Sequence, residues 1–279
     1  MRQLSKLRAF ALVGAAALAI AACAQKSETE AEEAAPAQTE TAADEASPLP
    51  DYAAVAAAAV GDPRRPEDDR ADDARRKPEL ALEFFQVAPG MTVFEIEAGG
   101  GWYTELLSHA VGPTGTVIMQ NPEGFRDFVG DKIDARLASD RLGNVRESYS
   151  NFDFLDAEDA SVDLVTWVQG PHELYFTPDS GTLGDPKKSY AEIYRILKPG
   201  GAFVVIDHSA VDGAPETTGN DLHRVDKAIV EKMAEDAGFT LEATSDFLAN
   251  PEDDRTLGVF DPTIRGYTDQ FALRFRKPE

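Results

Sequence analysis

The alternation of β-rich runs with helical stretches constrains the fold of this chain more than any other feature of its sequence. The β-rich runs cover residues 92–96, 116–119, 145–149, 162–168 and 202–206. Helical stretches between them cover residues 103–110, 125–137 and 190–197. Strand and helix repeated at this spacing predict a parallel sheet with crossover helices. The run Ala202 to Ile206 is apolar throughout, as a strand buried on both faces requires.

The end of the chain breaks this alternation. A helix is predicted over 225–237 and stops at Gly238, and β-rich runs follow at 240–247 and 270–276. Because no helical period separates these two runs, we expect them to pair antiparallel. The sequence therefore predicts an α/β fold with a doubly wound, mostly parallel, seven-stranded sheet that ends in an antiparallel pair.

The first residues have the pattern of an export signal. Three basic residues precede the apolar run 9–22, which leads into Cys23, the only cysteine of the chain. The run holds about fourteen residues, fewer than the roughly twenty that a membrane-spanning helix needs. The stretch Ile20-Ala21-Ala22-Cys23 resembles the lipobox of bacterial lipoproteins. That resemblance implies a signal peptide over 1–22, a lipid on Cys23 and a protein anchored to a membrane on the periplasmic side; a signal peptide without lipid is the alternative.

Composition divides the rest of the chain into two parts. Residues 23–60 are rich in Ala, Glu, Thr and Pro without a hydrophobic period, which predicts a disordered tether. Residues 61–279 have the patterning of one folded domain. The net charge of -23 disfavours nucleic acid as a partner, because phosphate binding requires clustered Lys and Arg. With one cysteine and four histidines, we expect no metal site.

A glycine-rich turn stands between the first predicted strand and its helix, in VFEIEAGGGWYTELL. A backbone that turns sharply and lies against a ligand excludes side chains, and Gly99, Gly100 and Gly101 meet that requirement. A dinucleotide fingerprint G-x-G-x-x-G that starts at Gly99 needs a glycine where the chain has Thr104. A nicotinamide dinucleotide site is therefore not predicted.

The order of these segments resembles the class I S-adenosylmethionine-dependent methyltransferases over roughly Leu80 to Lys277. In that family the first strand ends in D/E-x-G-x-G-x-G, and the aligned stretch runs from Glu95 to Gly101 with Glu97 at the first glycine. The segment RILKPGGAFVVID is the most specific match. The resemblance implies a Rossmann-like fold and S-adenosylmethionine as cofactor. More narrowly, the sequence is similar to an exported bacterial group of predicted methyltransferases.

The same resemblance implies which residues hold the cofactor. Glu95, Glu97 and the three glycines belong to the turn. Asn121 aligns with the acid that grips both ribose hydroxyls, and Asn151 aligns with the acid that receives the adenine amino group, with Asp153 close by. The carboxylate of Glu97 either contacts the ammonium group of the cofactor or obstructs the site.

Candidate catalytic residues follow the fourth and fifth predicted strands. Methyl transfer requires positioning of the acceptor, and a base is optional. His172 and Glu173 lie in the loop that faces the methyl group in this family, and His172 is a candidate base near neutral pH. Asp207 and His208 follow the fifth strand, at the ligand-bearing edge of the sheet. Structural roles, in ordering the loop or capping a helix, are the alternatives for these residues.

The leading hypothesis is an exported, lipid-anchored S-adenosylmethionine-dependent methyltransferase of unknown acceptor. A non-catalytic ligand-binding or envelope-interaction module on the same fold is the alternative. A hydrolase that uses His172, Asp207 and His208 is the least favoured, because no G-x-S-x-G turn exposes a serine. The charged stretch Arg64 to Lys77 is interpreted as a solvated helix face, in preference to a cover for the pocket.

Overall fold

The computed structural model describes residues 49–178 and 181–279. The predicted signal peptide, the predicted lipidation site at Cys23 and most of the predicted tether lie outside the described residues. Within the described ranges, every helix is too short or too polar to cross a membrane.

A seven-stranded sheet forms the centre of the domain, in the order β3-β2-β1-β4-β5-β7-β6. The strands are β1 (Thr92–Ile96), β2 (Thr116–Asn121), β3 (Val145–Tyr149), β4 (Val162–Val168), β5 (Leu197–His208), β6 (Thr240–Ser245) and β7 (Gln270–Arg276). The first five strands pair parallel, whereas β7 pairs antiparallel with both β5 and β6. The predicted α/β fold, a mostly parallel sheet with a terminal antiparallel pair, is confirmed.

Helices cover both faces of this sheet. They are α1 (Tyr52–Val60), α2 (Glu67–Arg70), α3 (Asp73–Arg76), α4 (Pro78–Phe85), α5 (Trp102–Val111), α6 (Arg126–Leu137), α7 (Pro186–Ile196), α8 (Thr218–Leu222) and α9 (Lys227–Asp236). Local sequence sets several of their starts. The side chain of Asp185 caps α7 by accepting a hydrogen bond from the amide of Lys188, and Asp226 caps α9 in the same way from Ala228.

Successive side chains of each central strand point to opposite faces of the sheet and pack into two separate hydrophobic cores. Phe94 and Val165 pack with α7 and α9 on one face, whereas Val93 and Leu164 pack with α1, α4 and α5 on the other. All four side chains are at most 1% exposed. Burial on both faces explains why these strands read as nearly continuous apolar runs, and it leaves the carboxyl edge of the sheet as the place for polar groups.

The predicted tether extends too far toward the folded domain. Residues 52–60 form α1, which Asp51 caps and which buries Ala56 and Ala59 against α4 and α5. Alanine is the strongest helix former, and its small side chain lets two helices approach closely. The predicted boundary at residue 60 is therefore wrong for this stretch, because an alanine-rich composition is compatible with a packed helix as well as with disorder.

Candidate cofactor cleft and neighbouring polar cluster

The turn after β1 adopts the sharp bend that its glycines predict. Glu97, Gly99 and Gly101 have φ values of +55°, +57° and +82°. The amide of Gly101 donates to the carbonyl of Ala98 at 3.0 Å and closes the bend. A Cβ placed on Gly99 would meet nothing within 4 Å, so the backbone of Gly99 faces open space. The turn therefore presents bare backbone to a ligand.

That open space is a cleft of about 760 Å³ at the carboxyl edge of the sheet. Its floor is the turn from Glu95 to Gly100, and the ends of β4 and α6 also contribute. The remaining wall comes from α2 and α3, through Asp68, Asp69, Asp72 and Arg76. The interpretation of Arg64 to Lys77 as only a solvated face is wrong, because five of its fourteen residues line the cleft.

Glu95 is buried at the base of the cleft. Its side chain is 4% exposed and accepts a hydrogen bond from Thr104 Oγ1 at 2.5 Å. Burial raises the pKa of Glu95 from 4.5 to about 8, because the charged form loses its hydration. The carboxyl group therefore holds a proton at neutral pH until a cation arrives.

The raised pKa of Glu95 predicts a stability that falls as pH rises. The folded state keeps this proton up to about pH 8, whereas the unfolded chain loses it near 4.5. Between these values the unfolded state binds fewer protons, so the free energy of unfolding decreases by up to about 1.4 kcal/mol per pH unit. In denaturant titrations at pH 5 and pH 8, Glu95→Gln should reduce the slope by this amount and leave the part that Glu97 contributes, whereas Glu79→Gln, an exposed control, should keep the slope of the parent. Equal slopes in parent and Glu95→Gln would contradict this burial.

Glu97 turns its carboxylate toward β4. Its Oε2 accepts a hydrogen bond from Trp167 Nε1 at 3.1 Å, and it packs under Gly170, where an added Cβ would lie 2.4 Å from the same oxygen. Burial and the neighbouring carboxylate of Glu173 hold the pKa of Glu97 well above 4.5. The residue lines the cleft, and its side chain lies along the floor.

The two asparagines do not reach the cleft as predicted. The side chain of Asn121 accepts from the amide of Gly99 at 2.8 Å and donates to the carbonyl of Gly99 at 3.2 Å. It is 1% exposed, so it fixes the turn and presents no free group to a ribose. Asn151 is exposed and lies outside the lining of the cleft. Both predicted contacts are corrected, because alignment fixes a position in the chain and leaves side-chain direction open.

Sequence reasoning missed Arg136, which clamps the turn. Its Nε donates to the carbonyl of Gly100 at 2.7 Å, and its Nη1 donates to Asp69 at 2.7 Å and to Glu105 at 2.9 Å. This arginine therefore joins α6, the turn, α2 and α5. Lys132, one turn earlier on α6, also lies against Gly100. No local sequence motif predicts these contacts, because the partners of Arg136 are more than thirty residues away from it in the chain.

A buried polar cluster occupies the ends of β4 and β5. Asp207 Oδ1 accepts from His172 Nδ1 at 2.7 Å, and Oδ2 accepts from the amide of His172 at 2.8 Å. His172 Nε2 lies 3.4 Å from Glu173 Oε1, which also receives His223 Nδ1 at 3.2 Å. The structure therefore brings the candidates His172, Glu173 and Asp207 together and adds His223.

The charges around His172 contradict its predicted role as a base. Burial alone would lower the pKa of His172, but the carboxylates of Asp207 and Glu173 outweigh it and raise the pKa to about 10. His172 therefore keeps its proton at neutral pH and is no base there. Burial lowers the pKa of His208 to about 3, so that imidazole is neutral, and its Nδ1 contacts Thr268 Oγ1 at 2.7 Å.

A second cavity of about 400 Å³ adjoins the cleft and shares Arg76 and Gln169 with it. Its lining combines arginines, aromatic rings and His208: Arg75, Arg76, Gln169, His208, Val259, Phe260, Arg265, Gly266 and Tyr267. Arg76 lies over the ring of Trp102 at 4.5 Å, and its buried Nε has no hydrogen-bond partner among the described residues but lies 3.6 Å from Asp72 Oδ2. A positively charged side chain thus stands where the two cavities meet.

The sequence of this domain matches a known methyltransferase family. Residues 76–226 match the model of the ubiE/COQ5 methyltransferase family, which is more than half of the chain. The chain belongs to the ubiE/COQ5 methyltransferase family. Members of this family use S-adenosylmethionine, so the predicted cofactor is confirmed. The predicted resemblance to class I S-adenosylmethionine-dependent methyltransferases is confirmed as well.

Curated members of the ubiE/COQ5 family match about half of this chain. The ubiquinone/menaquinone biosynthesis C-methyltransferase of Hydrogenovibrio crunogenus is 31% identical over 132 residues, which are 47% of each chain. The demethylmenaquinone methyltransferase of Lactococcus lactis is 33% identical over 120 residues, 43% of each chain. The chain therefore spans about half the length of the curated relatives it matches.

Solved structures show the same fold at low sequence identity. A S-adenosylmethionine-dependent methyltransferase from Aquifex aeolicus has a TM-score of 0.53 at 23% identity and covers 75% of this chain and 95% of its own. Phosphoethanolamine N-methyltransferase 2 of Haemonchus contortus, solved with S-adenosyl-L-methionine, has a TM-score of 0.54 at 16% identity and covers 72% of this chain and 52% of its own. These likenesses concern the fold alone.

Proposed function

We propose that this protein transfers the methyl group of S-adenosylmethionine to a small acceptor, with the cofactor in the cleft beside the turn after β1. The cleft of about 760 Å³, lined by the bare backbone of Gly99, carries this proposal. Its volume falls within the range of about 300–1,000 Å³ that small-molecule sites occupy. When bound, the cofactor supplies an electrophilic methyl group on a positively charged sulfur.

The charges in the cleft suit a cofactor with an ammonium group and a sulfonium. Glu95 and Glu97 line its floor, and each gains a favourable partner when a cation arrives. For Glu97 we propose the ammonium contact, because its carboxylate lies along the floor and leaves the cleft open. Asp68, Asp69 and Asp72 on the opposite wall supply carboxylate oxygens for hydroxyl groups, in place of Asn121.

For the acceptor we propose an anionic, ring-bearing molecule in the second cavity. Arg76 and Arg265 supply positive charge there, and Phe260 and Tyr267 supply aromatic surface. The names of the curated relatives, which refer to ubiquinone and menaquinone biosynthesis and to demethylmenaquinone, support the ring of this acceptor, whereas its negative charge is argued from the arginines alone. His208, neutral and fixed through Nδ1, positions a hydroxyl group of the acceptor, because its low basicity suits hydrogen bonding better than proton removal.

A methyl-transfer assay with two matched probes tests this proposal. The full chain receives methyl-labelled S-adenosylmethionine with 4-hydroxybenzoate or with its uncharged methyl ester. We expect transfer to the acid, and Arg76→Gln should raise KM for the acid about tenfold, which corresponds to about 1.4 kcal/mol, with little effect on the ester. Arg146→Gln, an exposed arginine on β3, is the control. Transfer that is indifferent to the acceptor's charge would contradict the assignment of Arg76.

A non-catalytic binding module is the second candidate, and one observation favours it. Asn121 is committed to the backbone of Gly99, so the usual grip on the ribose has no counterpart at that position. A module of this kind would bind S-adenosylmethionine or S-adenosylhomocysteine without turnover. Calorimetric binding together with the absence of transfer to a broad panel of acceptors would support it against the enzyme.

We also propose that the protein is exported and anchored through a lipid on Cys23. The lipobox-like stretch before Cys23 supports this proposal, since it follows a basic and then an apolar segment. Cells that express the full chain and receive a labelled fatty acid should yield a labelled protein in the membrane fraction. Cys23→Ser should lose the label completely. Labelling that persists in Cys23→Ser would contradict the assignment.

A further inference from the structure

Three side chains with metal-binding groups converge beside the cofactor cleft but do not line it. His172, Glu173 and His223 each offer one donor atom, and these three atoms all lie within 4.8 Å of one another. We propose that they bind a divalent transition-metal ion of the zinc class. This proposal is independent of the proposed methyl transfer, because none of its observations involves the cleft.

The distances between the donor atoms suit a tetrahedral ion. Glu173 Oε1 lies 3.4 Å from His172 Nε2 and 3.2 Å from His223 Nδ1. Ligands held at about 2.0–2.2 Å in tetrahedral geometry are separated by about 3.3–3.6 Å. Two edges of the site are therefore close to the required length, and the third, between the two imidazole nitrogens, is at most 4.8 Å.

The orientation of His172 is fixed by a buried carboxylate. Asp207 is 0% exposed, accepts from His172 Nδ1 at 2.7 Å and also accepts from the amide of the same residue at 2.8 Å. These two bonds direct Nε2 toward Glu173. A carboxylate behind the far nitrogen of a histidine is the usual support of a metal ligand, because it sets both the tautomer and the ring direction.

Glu173 has an oxygen that its present contacts leave unused. Both histidines contact Oε1, whereas Oε2 is buried and has no hydrogen-bond partner among the described residues. A buried carboxylate oxygen without a partner costs free energy. An ion bound by Oε1 and the two imidazoles would place positive charge beside this unpartnered oxygen and replace the proton that His172 shares with Glu173.

The donor set indicates the class of ion. Two imidazoles and one carboxylate are the ligands of zinc and of other first-row transition metals, whereas calcium and magnesium prefer oxygen alone. Three protein ligands also leave a fourth position for water or another small ligand. The last ligand comes from a distant part of the chain: His223 ends α8 with a φ of +51°, which holds its ring against Glu173.

A calorimetric titration with zinc tests this site. The full chain carries Cys23→Ser, because a free thiol would bind zinc too, and it is first treated with EDTA. We expect one ion per chain. We use His223→Asn because asparagine tolerates the left-handed backbone at this position. This change should weaken zinc binding at least about 100-fold, since loss of a direct ligand costs more than the 10–100-fold that is usual for a residue that only supports a ligand. His109→Asn, a matched change at a histidine bound to Glu105, should leave the affinity within about twofold of the parent's.

A second measurement guards against loss of fold. His223→Asn should have the same Tm as the parent in EDTA, and zinc should raise the Tm of the parent but not that of the variant. Cobalt added to the parent should give the intense visible absorption of a four- or five-coordinate ion. Equal zinc affinity in the parent and in His223→Asn, a cobalt spectrum like that of the hydrated ion, or no binding would each overturn the proposal.

Discussion

Replacing Gly99 by arginine should abolish the binding of S-adenosylhomocysteine, with a loss of at least about 100-fold, or about 2.7 kcal/mol, in calorimetric titrations. The backbone of Gly99 faces the open cleft, so any side chain at this position projects into the space assigned to the cofactor. An arginine also brings a positive charge toward the place where the ammonium group of the ligand is expected. The volume and the charge of the arginine should therefore both weaken binding of the ligand.

Gly213→Arg is the matched control for this experiment. Gly213 has a φ of +79°, an added Cβ there also meets nothing within 4 Å, and the residue lies outside the cleft. Both changes place a side chain on a left-handed backbone, so the two variants share the associated strain. A Gly99→Arg variant that binds as tightly as Gly213→Arg would show that the ligand lies elsewhere.

Removing the carboxylate of Asp253 should destabilise the domain by about 3–5 kcal/mol, because it leaves a buried arginine without its counter-charge. Arg224 is 0% exposed, and its Nη2 lies 2.8 Å from Asp253 Oδ2. The remaining nitrogens of Arg224 donate to the carbonyls of Leu257 and Ser209. This pair joins the end of α8 and the loop after β5 to the segment that carries Phe260. We therefore expect a lower free energy of unfolding for Asp253→Ala in urea titrations.

An exposed ion pair from the same region provides the control. Asp212 lies 3.1 Å from Arg255, but its side chain is 99% exposed, so Asp212→Ala should cost no more than about 1 kcal/mol. The double variant Arg224→Met with Asp253→Leu should recover part of the stability, since it removes the unpaired buried charge, whereas the amides of Arg255 and Asp269 still lose their acceptor. Equal effects of Asp253→Ala and Asp212→Ala would contradict the burial of Arg224.

The fold was largely predictable because the sheet is buried on both faces. The bounds of β1, β3, β4 and β7 agree with the prediction to the residue, and for β1, β4 and β7 they follow from runs that are largely buried on both faces. Where tertiary contacts decide, prediction was wrong. β5 begins at Leu197, five residues earlier than expected, because the amide of Gly200 pairs with the carbonyl of Lys277. α1 was missed because the alanines that form it carry no apolar period.

The site was predictable only in its backbone. The turn at Gly99 follows from its glycines, and the meeting of His172 with Asp207 follows from two adjacent parallel strands that end at one edge. The direction of Asn121 depends on a hydrogen bond across the turn, which alignment does not encode. The hydrogen bond from Arg136 to the turn and the contact of His223 with Glu173 depend on how the loops between distant segments are folded. Such contacts have no local signal.

A crystal structure of the full chain grown with S-adenosylhomocysteine is the most direct test of where the cofactor binds. We expect the ligand in the cleft of about 760 Å³, against the backbone of Gly99 and with its ammonium group within hydrogen-bond distance of Glu97. Asn121 should keep its two bonds to Gly99, and hydroxyl groups should meet carboxylates of α2 or α3. A ligand bound away from the turn, or a side chain of Glu97 that fills the ammonium position and excludes the ligand, would contradict the assignment of this cleft.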